Sequence, residues 1–492
     1  MTHHEVVVVG AGFAGLAATM ALRDAGIDDV LVVERAASLG GTWRDNTYPG
    51  VACDIPSHLY GFAAHPNPDW SGVYANGAEI RAYLERVAAD ERIAPRLNTP
   101  LTSASWDDDR WRIDLGGRHP ETVTADALVL ACGRLTEPRI PSVPGLARFP
   151  GPVFHSSRWR HDVDLQGTRI AVVGTGASAV QLVPELSRTA HVTLFQRTPA
   201  WIVPRGARAY SEAERMRFRE RPDELAALRA ELYDEGEERF ASRSGDAAAS
   251  ALAREVALAH LYDQLDDPAL RELLTPDYAF GCKRVLLSDD FYPAIASGAV
   301  TLEASALATV EGSTVVSADG ARHEVDAIVF ATGFASTQQP YAELVTGERG
   351  TLAEHWAGGM TSFASTVVSG FPNLFVLDGP NASLGHNSSV LMIEEQAAYA
   401  ARTLAGRFED DRDGVLRVAP EAESAYTAEI DRAAASTPWI TGGCRNWYVD
   451  ARSGRLTLLW PGTVGAFRER LARADGSEFE PSRRFTRERE VA

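Results

Sequence analysis

Lysine is almost missing from this chain: of 48 basic residues only Lys283 is not arginine. Positive charge is also outweighed, since 67 acidic residues leave a net charge of −19 and no dense Lys/Arg run occurs. Nucleic acid and anionic membrane are therefore excluded as expected partners. Cysteine is scarce as well. Cys53, Cys132, Cys282 and Cys444 lie far apart with no C-x-x-C pair, which argues against a zinc framework and leads to the expectation of four free thiols in a reducing cytoplasm. No metal site is expected. Long apolar runs are absent too; none reaches the roughly 18 residues needed to span a bilayer. The stretch from Glu5 to Leu22 resembles a signal peptide superficially, but it lacks a basic leader and is interrupted by three glycines. What remains is an ordinary globular composition, 45% apolar over 492 residues, enough for about three domain-sized bodies.

The strongest local pattern is a short β-branched run, Val6 to Val9, followed by Gly10-Ala11-Gly12-Phe13-Ala14-Gly15, a helix-like stretch, and a second strand, Val30 to Val33, that ends in Glu34. Glycines in that G-x-G-x-x-G turn let the backbone approach a pyrophosphate, the helix start offers N–H donors, and an acid about twenty residues on accepts ribose hydroxyls. The same grammar recurs from Arg169 to Val173, through Gly174-Thr175-Gly176-Ala177-Ser178-Ala179, to a strand from His191 to Phe195. Here the acid is replaced by Gln196-Arg197-Thr198. A carboxylate would repel a 2′-phosphate, whereas guanidinium and hydroxyl would bind it, so the second ligand is expected to be NADP. Two dinucleotides in one chain, one of them NADPH, imply electron transfer from nicotinamide to a held flavin, FAD.

Hydrophobic strands ending in Ala131-Cys132-Gly133 and Ala331-Thr332-Gly333 are placed to close the sheet under each ligand. From about Tyr210 to Leu274, leucines at helical spacing (225, 228, 232, then 258, 261, 265) mark an inserted helical body. The expected fold is α/β, two Rossmann-like dinucleotide-binding domains with an inserted helical subdomain. Its parts are a FAD-binding segment 1–147, an NADP-binding segment 148–208, the helical insert 209–280, a returning NADP-binding segment 281–364, and a returning FAD-binding and C-terminal segment 365–492. The charged tail after Ser477 is expected to fray. Disulfide reductases share this plan but need paired redox cysteines beside the flavin, and only the unpaired Cys53 falls near the first motif.

Two further motifs carry a family resemblance. Phe149-Pro150-Gly151-Pro152-Val153-Phe154-His155-Ser156-Ser157-Arg158-Trp159 fits the F-x-G-x-x-x-H-x-x-x-W fingerprint, and Gly40-Gly41-Thr42-Trp43 through Tyr48-Pro49-Gly50 to Asp54 fits a second signature. Together they resemble the Baeyer–Villiger monooxygenases, class B flavoproteins, along essentially the whole chain. One position departs: Arg160 stands where the family usually has Pro or Asp. Trp159 sides with ketone oxidation rather than the heteroatom-oxidising relatives.

The resemblance implies an NADPH- and O2-dependent enzyme that inserts oxygen beside a ketone carbonyl through a flavin C4a-peroxide, giving an ester or lactone. Gly281-Cys282-Lys283-Arg284 looks like the family's Lys-Arg segment, with Arg284 as the catalytic cation, Asp54 as its acidic partner and Lys283 at the NADP phosphate. A guanidinium suits the role because it cannot give up its proton. By the same carry-over, Gly40, Gly41, Thr42, Trp43 and Tyr60 line the flavin, and Ala52, Cys53 and Asp54 approach the nicotinamide ribose. Thr175 to Gln181 would wrap the NADP pyrophosphate, and Trp447 in Cys444-Arg445-Asn446-Trp447-Tyr448 would close the pocket. His386 is read either as a second polar active-site group or as a loop hydrogen-bonder. The competing readings are sulfide or amine oxygenation by the same cofactors, and a non-catalytic NADPH-binding flavoprotein. Nothing in these motifs speaks to oligomeric state.

Overall fold

A computed structural model describes residues 1–410 and 414–480; the part of the charged tail beyond residue 480, expected to fray, lies outside them. Four consecutive β-branched residues, Val6 to Val9, are buried on both faces, as parallel strands covered on either side require. Their strand, Thr2–Val9, pairs in parallel with Val30–Val33 and with Glu121–Leu130. The first half of Glu121–Leu130 also pairs with the antiparallel Arg110–Leu115, and its last three residues pair with Leu374–Val376, which returns from late in the chain. Leu101–Asp107, Val345–Gly347 and Gly350–Thr351 complete this eight-stranded sheet. Helix Phe13–Asp24 packs on one face against helix Ser389–Asp410.

A second sheet of five parallel strands runs in the order Val300–Glu303, His191–Phe195, Arg169–Val173, Ala327–Phe330, Val153–His155. Two sheets of this doubly wound kind, each with a glycine turn after its leading strand, form the two Rossmann-like halves of an α/β fold. Between their strands the chain inserts helices Glu212–Glu220, Pro222–Ser244, Ala247–Gln264 and Pro268–Leu274. Of the six spaced leucines, Leu225, Leu261 and Leu265 are buried while Leu228, Leu232 and Leu258 are half-buried, so both stripes face inward. Arg229 donates to the His58 carbonyl at 2.9 Å and moors the helical insert to the first half.

The cysteine expectation is corrected in part: Cys282 and Cys444 form a disulfide, and only Cys53 and Cys132 are free. Their separation of 162 residues hides the pairing from any local pattern. The departure at Arg160 has a simple local outcome, since the side chain is exposed and pairs with Asp162 at 2.5 Å. In the same fingerprint, Trp159 packs edge-on against Phe154 and His155 is buried, its Nδ1 accepting from the Ser157 amide. Among the described residues no helix is long and apolar enough to cross a membrane.

Candidate active site

Both glycine turns lie at the carboxyl ends of their sheets, where doubly wound folds bind ligands, and both open on one cleft of about 1200 Å³. Gly10 and Gly174 adopt nearly the same left-handed conformation, φ +112° and +111°. A Cβ at either would come within 2.4 Å of the Ala131 carbonyl oxygen or 2.6 Å of that of Ala331, so the two small-residue turns fit under the two loops in the same way. The helices that follow begin at Gly12 and Gly176, with no side chain capping their first amides. Uncapped amides at a helix start suit a phosphate. On this observation the donor set fits two dinucleotides.

The cleft gathers nearly all of the expected residues: Gly10, Gly12, Glu34, Gly40 to Trp43, Ala52 to Asp54 and Tyr60 from the first half, and Gly174 to Ser178, Gln181, Arg197, Thr198, Lys283, Arg284 and Trp447 from the rest. Gly15 and Ala179 do not line it; both are buried where helix meets sheet. Glu34 is buried and accepts from the Ala11 and Ala36 amides at 3.0 and 2.9 Å, with Arg44 at 2.9 Å. Arg197 is exposed, and beside it Lys283 donates to the Thr198 hydroxyl at 2.5 Å and sits 4.5 Å over the Tyr278 ring. Burial and the Arg197 charge hold the Lys283 ammonium below its usual pKa, which leaves a partly stripped cation ready for an anion.

At the seam between the halves, Arg284 donates to Asp54 Oδ2 through Nε at 2.9 Å and Nη2 at 2.7 Å. The Asp54 charge, working against burial, raises the guanidinium further above its already high pKa, so Arg284 is a permanent cation. About a quarter of its side chain faces the cleft. Tyr448 is fully buried beside it, its phenol pushed up to about 12 by burial. Burial and the Asp54 charge raise the Cys53 thiol well above its ordinary value, which makes it a wall rather than a nucleophile. The Gln181 amide reaches across the seam: Nε2 donates to the Ala52 carbonyl at 2.9 Å, and Oε1 accepts from the Tyr48 hydroxyl at 2.9 Å.

Several cleft groups were not anticipated from the sequence. Arg134, directly after the Ala131-Cys132-Gly133 turn, is buried, paired with Asp378, and donates to the Ser389 hydroxyl at 3.3 Å at the start of a helix. Burial brings its guanidinium down to about 10. Outside the cleft lining, Arg205 supports its wall by donating to the Cys53 carbonyl at 3.1 Å from a position 5.0 Å over the Tyr74 ring. The signal for Arg134 was available, because a charged residue just past a turn that closes the sheet faces the ligand edge. His386 is not in the cleft wall; it is buried against Phe240 and lies 3.5 Å from Glu237.

Comparison with known proteins agrees with this architecture. Residues 7–211 match the model of the pyridine nucleotide-disulphide oxidoreductase family. A Baeyer–Villiger monooxygenase of Streptomyces coelicolor is 45% identical over 97% of this chain and 92% of its own length. One of Pseudomonas aeruginosa is 41% identical over 97% and 91%. Among solved structures, an oxidised steroid monooxygenase bound to NADP superposes with a TM-score of 0.84 at 30% identity, covering 97% of this chain and 99% of that one. Cyclohexanone monooxygenase of a Rhodococcus species, bound to NADP+, gives 0.86 at 27% with the same coverage. With identity of this depth along nearly the full length, and the signature from Gly40 to Asp54 in one cleft with the paired glycine turns, the chain belongs to the Baeyer–Villiger monooxygenases.

Proposed function

We propose that this enzyme uses FAD, NADPH and O2 to insert one oxygen atom beside the carbonyl of a small-molecule ketone, giving an ester or lactone, with Arg284 as its catalytic cation. The observation that carries the reading is the Arg284–Asp54 pair in the cleft shared by both glycine turns. FAD belongs to the first half, where Gly10, Gly12, Glu34, Gly40 to Trp43 and Tyr60 form its cradle. NADPH belongs to the second, with its pyrophosphate on the loop from Gly174 to Ser178 and its 2′-phosphate met by Arg197, Thr198 and Lys283. Bound together, the nicotinamide supplies a hydride and the reduced flavin activates dioxygen.

The chain's own part is electrostatic and steric. Arg284 faces the space between the two loops and stabilises the negative charge that gathers on the ketone oxygen as the carbonyl is attacked. Asp54 fixes the guanidinium by two hydrogen bonds, and the permanent charge means no proton is lost from it to the reacting atoms. Trp447, Tyr60 and Trp43 give the cleft apolar walls that keep water from competing. The division of the chain at residues 147, 208, 280 and 364 follows from the same reading, whereas the Cys282–Cys444 bridge removes the free-thiol argument for a reducing cytoplasm.

Arg284→Ala tests the proposal. Ester formation should fall by about a hundredfold or more while NADPH still bleaches the flavin anaerobically; an unimpaired variant removes Arg284 from the chemistry. Ketones, sulfides and amines are offered in parallel, and oxygenation of the heteroatom compounds alone would overturn the ketone assignment.

A further inference from the structure

The disulfide lies where two cleft-lining segments meet. On one side of it Cys282 immediately precedes Lys283 and Arg284; on the other Cys444 immediately precedes Arg445, Asn446 and Trp447, and all five of those neighbours line the cleft. The two sulfurs do not line it. Cys282 is fully buried, in a cluster with Trp201, Tyr278 and Phe280. Gly442 packs so closely that a Cβ there would stand 3.0 Å from the Cys282 sulfur. Beyond the bridge, a backbone bond from the Ala279 amide to the Gly442 carbonyl, 2.9 Å, ties the same two strands of chain. The 444–449 turn is organised on its own side by Asn446, which donates to the Trp439 carbonyl at 2.8 Å and accepts from the Tyr448 amide at 3.0 Å.

We propose that the Cys282–Cys444 bridge is a positioning element of the active site, coupling the segment that carries Lys283 and Arg284 to the segment that carries Trp447 so that cations and wall are held as one unit. The inference rests on the role given to Arg284 above. A cation that must meet charge on a reacting oxygen is effective only when its distance is fixed. Arg284 is anchored by Asp54 on the first half, but its backbone is anchored by the bridge one residue before Lys283. The same covalent link sets where the Trp447 wall begins. Because the sulfurs are screened from the cleft by their own neighbours, the bridge is shielded from turnover in the cavity.

The test begins with the native holoenzyme denatured without reductant. Two thiols, Cys53 and Cys132, should react with an alkylating reagent, and digestion should yield one cross-linked peptide pair containing Cys282 and Cys444; four reactive thiols overturn the proposal. Dithiothreitol is then applied to the folded enzyme and removed. Its two thiols pass two electrons and two protons to the bridge, closing the reagent's own disulfide ring and leaving two cysteine thiols. A Cys282→Ser, Cys444→Ser double variant makes the same break genetically if the bridge resists the reagent, and the reagent serves if the variant fails to fold. Expected are an increase of about three- to tenfold in KM for NADPH and in hydrogen peroxide released per NADPH consumed. Anaerobic flavin reduction at saturating NADPH should change much less, and reoxidation of the reduced wild type should restore all values. A bridge that only stiffens the fold would lower the melting temperature and the amount of active enzyme without moving KM or the peroxide ratio, and that result overturns the proposal. Failure of the Arg284 reading is separable, because it would show as normal ester formation by Arg284→Ala with the thiol count and the KM shift intact.

Discussion

The two dinucleotide halves share one loop geometry and differ in how deeply they set it. In the first, Ala11 and Phe13 of the glycine loop are buried, and the acid after the second strand, Glu34, is enclosed with three polar partners. In the second, Gly176 and Ala177 of the loop are exposed; Gln196, which takes the place of Glu34, is buried, and the phosphate-site candidate Arg197 one residue further on is exposed. Equal backbone conformation with unequal burial teaches that the glycines select the kind of ligand, while the surroundings decide how long it stays. A site built into the core suits a cofactor held through many turnovers; a site at the surface suits one that exchanges.

The largest effect should come from the buried side. Glu34→Ala leaves the Ala11 and Ala36 amides without their acceptor and takes one of the two carboxylates from Arg44, which keeps Asp45 at 2.8 Å, a loss of about 3 kcal/mol. FAD affinity of the refolded apoprotein, followed by flavin fluorescence, should drop by roughly a hundredfold or more; an unchanged affinity would break the contrast between the halves. Acid should strike both halves at comparable cost. Burial, with Arg229 also contributing, holds His58 down to about 4 in the first half, and burial likewise holds His155 at about 4 in the second. Each imidazole is neutral when folded while the unfolded chain takes up a proton below roughly 6.5. The stability each contributes is therefore complete above that pH and is lost as pH falls towards about 4, on the order of 3 kcal/mol per residue. His155→Asn should flatten part of this loss in melting curves across that window; an undiminished slope would show that His155 does not titrate with unfolding. The smallest effect belongs to the exposed site. Arg197→Ala should raise KM for NADPH by about tenfold, the worth of one charge-assisted bond to phosphate, and spare NADH. That penalty should shrink as salt screens the wild-type contact, and equal effects on both nucleotides would contradict the phosphate assignment.

The parts of this molecule that could be read from its sequence are those whose physics is local. A β-branched run, a glycine turn and an acid or arginine just past the next strand's end are set within about thirty residues, so both halves and their ligand preference stood out; the Arg284 segment was reached only through the family resemblance. What stayed hidden depends on chain separation. The Cys282–Cys444 bridge spans 162 residues, and cysteine spacing gave no hint of it. Arg134 finds Asp378 and Ser389 only because the strand Leu374–Val376 returns beside Glu121–Leu130. Gln181, read as wrapping a pyrophosphate, has its amide bonded to Tyr48 and Ala52, a contact that exists only once the halves have docked.

That docking is unusually close at one point. Gly50, φ +81°, lies against the helix Ala177–Ser187, where an added Cβ would stand 2.7 Å from the Gln181 carbonyl oxygen and 2.9 Å from Glu185 Cγ. Main chain therefore rests on main chain, and the Gln181 amide bolts the joint from the other side. With so little clearance no side chain fits at position 50, so Gly50→Ala would wedge the first half away from the helix that carries Gln181.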